Sequence, residues 1–104
     1  MLKRLERGES LDSFLRVNQD KTVLVKFFAE WCVPCKVLQR NIEGLQKEKT
    51  DLVVVEIDVD KFPELQSDFQ VYSLPTLFLY QQGKRIKSER GSMSIQQLRE
   101  FISF

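Results

Sequence analysis

The chain has 104 residues, 42% of them hydrophobic, which fits one compact domain that buries a core without cross-links and leaves no length for a second. Sixteen Lys and Arg against fifteen Asp and Glu give a net charge of +1 with the signs interspersed, so neither nucleic acid nor a membrane surface is an expected partner. The basic start Lys3, Arg4, Arg7 is broken by Glu6 and Glu9 and no apolar run follows, so neither a signal peptide nor a transmembrane helix is read and the cytoplasm is the expected compartment.

In chain order, a short strand around Leu2 to Leu5 precedes a helix that Ser10 can cap and that carries Leu11, Phe14 and Leu15 on one face. Thr22 to Phe28 is a nearly continuous apolar run, broken only by Lys26, and predicts a strand buried on both sides. A long helix follows from about Cys32 to Lys49, with Val37, Leu38, Ile42 and Leu45 on one side and Gly44 as a weak point. Leu52 to Val59 predicts a second buried strand, and Asp60 is expected to cap a short helix ending near Phe69. Ser73 to Thr76 reads as a proline-containing turn into the strand Leu77 to Tyr80. Gln81, Gln82 and Gly83 turn it back into Ile86 to Glu89 as an antiparallel hairpin. Ser94 and Gln97 form a capping box for a last helix presenting Ile95, Leu98, Phe101 and Ile102. The order (β)αβαβαββα predicts a mixed central sheet of four to five strands with helices on both faces, and no repeat or linker divides residues 1–104. Phe27, Phe28, Phe78 and Phe101 are core positions first.

The chemistry concentrates in WCVPCK, Trp31 to Lys36, which holds the only two cysteines. Placed between a buried strand and a helix, Cys32 meets unpaired backbone N–H groups and the positive end of the helix dipole, which favour thiolate over thiol. Lys36, one turn on, adds a cation, while Cys35 lies within bonding reach. Two other readings compete. A structural disulfide would close a loop worth about 2 kcal/mol before strain, and zinc wants four ligands where the chain, without histidine, offers two thiols. Trp31 is a core aromatic or an active-site rim, Pro75 an ordinary turn proline or a special one, and Gly91 a turn glycine or a functional one.

Beyond the pair itself, FFAEWCVPCK (27–36), EIDVD (56–60), SLPTLFLY (73–80), QQGK (81–84) and RGSMS (90–94) closely resemble the thioredoxin family along nearly the whole chain. The resemblance implies a thioredoxin fold, an α/β class, and an enzyme that reduces protein disulfides by dithiol–disulfide exchange without a cofactor or metal. It implies that Cys32 attacks, that Cys35 resolves by closing the Cys32–Cys35 disulfide, and that Pro34 restricts the bridge between them. Pro75 would be cis and face the cysteines, with the Leu74 and Thr76 peptides pairing an extended substrate segment. Trp31, Val33, Val59, Leu74, Arg90 and Gly91 would border the substrate groove, simple packing being the alternative for Val33, Val59 and Leu74. Thioredoxin reductase and disulfide-containing proteins are the implied partners of a monomeric electron carrier in cell redox homeostasis. A specialised redox partner of one client, an oxidant and a non-catalytic docking module are the rival readings.

Five positions depart from the family pattern. Where a buried acid is usual behind the resolving cysteine, this chain has Lys26, and the neighbouring strand supplies Glu56 where a lysine is usual. The exchanged charges suggest a pair beneath the site in which Glu56 handles the proton of Cys35. The alternative is a Lys26 that reaches the surface beside a solvated Glu56. Val33 replaces a glycine between the cysteines, Arg40 a helix-kinking proline, and Arg90 an apolar residue beside the groove, where it would favour acidic partners.

Overall fold

A computed structural model describes residues 1–103. Its elements are β1 (Leu2–Arg4), α1 (Leu11–Val17), β2 (Thr22–Phe28), α2 (Val33–Glu48), β3 (Val53–Asp58), α3 (Pro63–Asp68), β4 (Thr76–Gln81), β5 (Lys84–Arg90) and α4 (Ile95–Ile102), in the expected order. The five strands form one sheet in the order β1-β3-β2-β4-β5. β3 runs parallel to β1 and β2, while β4 runs antiparallel to β2 and β5.

β2 and β3 occupy the centre because their β-branched and aromatic residues lose water on both faces; of the two strands only Thr22 is not fully buried. Side chains alternate across a strand. Val23, Val25 and Phe27 therefore meet Val53, Val55, Ile57 and Phe78 on one face, where Leu11 and Leu15 of α1 pack. Leu24, Val54, Leu77 and Leu79 meet Leu38, Ile42 and Leu45 of α2 and Leu98 and Phe101 of α4 on the other. Phe27, Phe69 and Phe78 contact one another with ring centroids 5.2–5.7 Å apart, in tilted and edge-on arrangements.

Helix ends follow local chemistry. Ser10 accepts from the Ser13 N–H, and Ser94 and Gln97 form the reciprocal capping box. In the β4–β5 hairpin, Gln81 pairs with Lys84, leaving Gln82 and Gly83 with φ of 54° and 75°, the left-handed pair a two-residue loop requires. Gly44 is where α2 meets α4: a Cβ there would stand 2.9 Å from Cδ1 of Ile95.

Two expectations need correction. Asp60 does not cap α3; the cap position is Phe62 without a side-chain bond, and Pro63 with its preset φ begins the helix. Val37 lies off the buried stripe of α2 at 39% exposure, because the stripe runs through Cys35, Leu38, Ile42 and Leu45. Among the described residues no helix is long and apolar enough to cross a membrane.

Candidate active site

β2 delivers the chain to the sheet end, and α2 begins immediately after the first cysteine. Cys32 is the N-cap: its backbone is extended, and its sulfur accepts the Cys35 N–H at 3.2 Å. Val33 and Pro34 fill the first helical turn, where proline's missing N–H has no helical acceptor to lose. Cys32 and Cys35 are joined as a disulfide with their Cα atoms 5.3 Å apart. At 4% and 2% exposure both are buried, so accessibility does not separate them in this oxidised state; the cap position does. Only Cys32 receives a backbone donor from the helix terminus.

The rim is apolar and open. Trp31 and Val33 are 68% and 67% exposed, and the Trp31 indole N–H donates to Asp60 Oδ2 at 3.1 Å, which is the task Asp60 performs in place of the expected cap. The Leu74–Pro75 peptide is cis, as the resemblance implied. The Pro75 carbonyl accepts the Gly91 N–H at 2.8 Å, and Gly91 has φ +93°, a backbone conformation that disfavours any side chain although open space surrounds it. Leu74 is half-buried and Arg90 exposed. Thr76 is committed to the sheet between Phe27 and Arg90, its hydroxyl donating to the Ser73 carbonyl at 2.7 Å. Val59 packs inside the core at 4% exposure and offers no docking surface.

Beneath the disulfide the exchanged charges meet. The β2–β3 register sets Lys26 beside Glu56; both are 2% exposed, and Nζ lies 3.1 Å from Glu56 Oε2. The surface-reaching alternative for Lys26 is excluded. Nζ also donates to Gln39 Oε1 at 2.6 Å, and Arg4, half-exposed, stands 3.6 Å from the other Glu56 oxygen. Burial pushes the Lys26 pKa below its ordinary 10.5, and Glu56 pulls it partly back. A cavity of about 160 Å³ reaches Cys35 and is lined by Arg4, Lys26, Phe28, Lys36 and Gln39, but not by Glu56. Gln39 and Arg4 escaped the sequence reading. Gln39 was findable, four residues after Cys35 on the same helix face; Arg4 depended on β1 pairing with β3.

A helix terminus that accepts charge on one sulfur, with a second sulfur already bonded to it, makes the pair a two-electron couple on a mixed α/β sheet. That is the chemistry of a thiol–disulfide oxidoreductase. The family model described as Thioredoxin matches residues 7–104, and the chain belongs to the thioredoxin family. Thioredoxin of Mycoplasmoides gallisepticum is 34% identical over 97% of this chain and 99% of its own length. Thioredoxin of Mycobacterium tuberculosis is 43% identical over 73% of this chain and 66% of its own, and the chain spans 55% of the Arabidopsis chloroplastic thioredoxin X at 39% identity. Among solved structures, Fasciola hepatica thioredoxin superposes with a TM-score of 0.87 at 29% identity, covering 97% of this chain and 96% of that one. A structure describing how a yeast mitochondrial 1-Cys peroxiredoxin has its thiol resolved through glutathione/thioredoxin systems gives 0.82 at 26% identity, covering 97% and 92%.

Proposed function

We propose that this protein is a cytoplasmic, monomeric electron carrier that reduces protein disulfides, with Cys32 attacking, Cys35 resolving and a thioredoxin reductase restoring the dithiol. The observation that carries the division of labour is the Cys35 N–H bonded to the Cys32 sulfur. In the reduced protein the Cys32 thiolate attacks one sulfur of a substrate disulfide; the Cys32–substrate bond forms and the other substrate sulfur leaves as a thiolate. Cys35, as thiolate, then attacks the Cys32 sulfur and expels the remaining substrate sulfur. Two electrons pass to the substrate, and its two thiolates take up protons. Trp31, Val33 and Leu74 border the docking substrate, Pro34 restrains the bridge, and the Leu74 peptide beside Pro75 is the place for an extended segment to add by backbone pairing. A disulfide of the peroxiredoxin kind is one substrate class this would serve.

The second step needs a Cys35 thiolate beneath the surface. Lys26 lines the cavity that reaches Cys35, so we assign Lys26, with Lys36 at the cavity's mouth, to favouring that thiolate, and Glu56 to compensating the buried ammonium. Lys26 rather than Glu56 is thus the group that acts on Cys35, through its charge and without taking up the proton.

Trapping tests the assignment. Cys35→Ser is expected to accumulate a mixed disulfide with a substrate through Cys32, while Cys32→Ser accumulates none. Equal trapping by both variants would overturn it.

A further inference from the structure

Strict alternation along Lys84–Arg90 would set Ile86, Ser88 and Arg90 on one face of β5. The hairpin does otherwise. Leu79 pairs with Lys87 but Tyr80 pairs with Arg85, so β5 carries one extra residue at this point. The bulge turns Ile86 against the α2–α4 core and brings Arg85 to the face of Phe78 and Tyr80. There its guanidinium lies 4.8 Å over the Phe78 ring and 5.6 Å over Phe69, a stacked position that holds the fork in place while leaving it exposed. Arg90 stands on the same face opposite Thr76, next to Pro75.

Between the two arginines runs an open groove of about 470 Å³, floored by Phe69 and Phe78 and edged by Gln70, Thr76 and Ser88. Among the described residues no carboxylate lines it. Beyond their backbone pairing in the β4–β5 ladder, the guanidinium groups of Arg85 and Arg90 have no ion pair or hydrogen bond with any described residue. Guanidinium forks without acceptors, beside a site that handles protein disulfides, are placed for carboxylates.

We propose that this groove selects protein substrates with acidic side chains beside their reactive cysteine, one reaching Arg90 and a second, roughly four residues further along an extended segment, reaching Arg85. The inference rests on the disulfide-reducing role above and adds its substrate class.

The test uses three synthetic peptide disulfides of one sequence, carrying Glu, Gln or Lys at those two positions, with the intact protein. In low salt, kcat/KM for the Glu peptide should exceed that for the Gln peptide by roughly tenfold, and the preference should collapse near 0.5 M salt. The Arg85→Glu/Arg90→Glu variant should prefer the Lys peptide instead, and Arg85→Ala should keep only part of the preference for the Glu peptide, the part owed to Arg90. Equal kcat/KM for the Glu and Gln peptides with the unaltered protein would overturn the groove while leaving disulfide reduction standing. Reduction of none of the three would overturn the disulfide-reducing role and the groove with it.

Discussion

Lys26 lines the cavity that reaches Cys35 and Arg90 stands opposite Thr76, next to the cis Pro75, and the molecule holds the two cations in opposite ways. Lys26 is 2% exposed, and its Nζ meets Gln39 and Glu56; Arg90 is exposed, and its guanidinium meets no carboxylate among the described residues. Water explains the difference. A cation removed from solvent loses several kcal/mol unless a counter-charge and hydrogen bonds replace it, whereas an exposed arginine keeps its hydration and costs almost nothing unpaired. An internal charge is therefore spoken for by the fold and acts on the chemistry next to it, while a surface charge is left for whatever docks.

The comparison predicts its largest effect at Glu56. Glu56→Gln leaves the Lys26 ammonium buried without its counter-charge, and urea unfolding at neutral pH should register a loss of about 3 kcal/mol or more. The pH dependence has a definite sign. Burial, the leading cause, lowers the native Lys26 pKa below 10.5, with Glu56 and Glu43 pulling it up and Arg4 pushing it down. The unfolded chain then binds the proton that the native chain has released, so stability rises with pH between the native and unfolded values and is lost as pH falls through the native one. The Glu56→Gln deficit should accordingly shrink as the solution is made more alkaline. A deficit that stays constant with pH would mean that the buried ammonium is not its source.

Removing both charges separates stability from chemistry. Lys26→Met/Glu56→Leu should be as stable as the parent or more so, since a buried pair replaced by apolar groups of similar size is often neutral or stabilising. Release of substrate from the mixed disulfide should nevertheless slow about tenfold at neutral pH, with its profile shifted to higher pH, because Cys35 loses the cation that favours its thiolate. An unchanged profile would confine the pair to a structural role.

The smallest effect belongs to the exposed pair of α2 and α4. Arg99 donates to both Glu48 oxygens, at 2.9 and 2.6 Å, and the contact holds the Glu48 pKa below its ordinary value. Despite this good geometry, Arg99→Gln should change urea stability marginally, and about 1 M salt should erase the difference. A loss comparable to that of Glu56→Gln would break the distinction between buried and exposed charge.

Much of this was legible in the residues. Thr22–Phe28 coincides with β2 residue for residue, and the Ser94–Gln97 box begins α4 as expected. Such features are local: an apolar run, a cap and a proline act over a few positions. The misreadings came where a local rule met a distant partner. Asp60 has the right chemistry for a cap, but its carboxylate turns to Trp31 and Pro63 begins the helix. Val59, read either as packing or as part of the docking surface, packs in the core.

By itself, the sequence determined the redox pair, the helix that receives it and the order of the elements, because each depends on neighbours in the chain. Only the tertiary structure decided which charges are spent and which are free. Whether Lys26 meets Glu56 is a matter of β2–β3 register, and whether Arg85 or Ile86 shares a face with Arg90 turns on one extra residue in β5. Register and bulges are set by hydrogen bonding between strands distant in sequence, and a shift of one residue sends a side chain to the opposite face of the sheet.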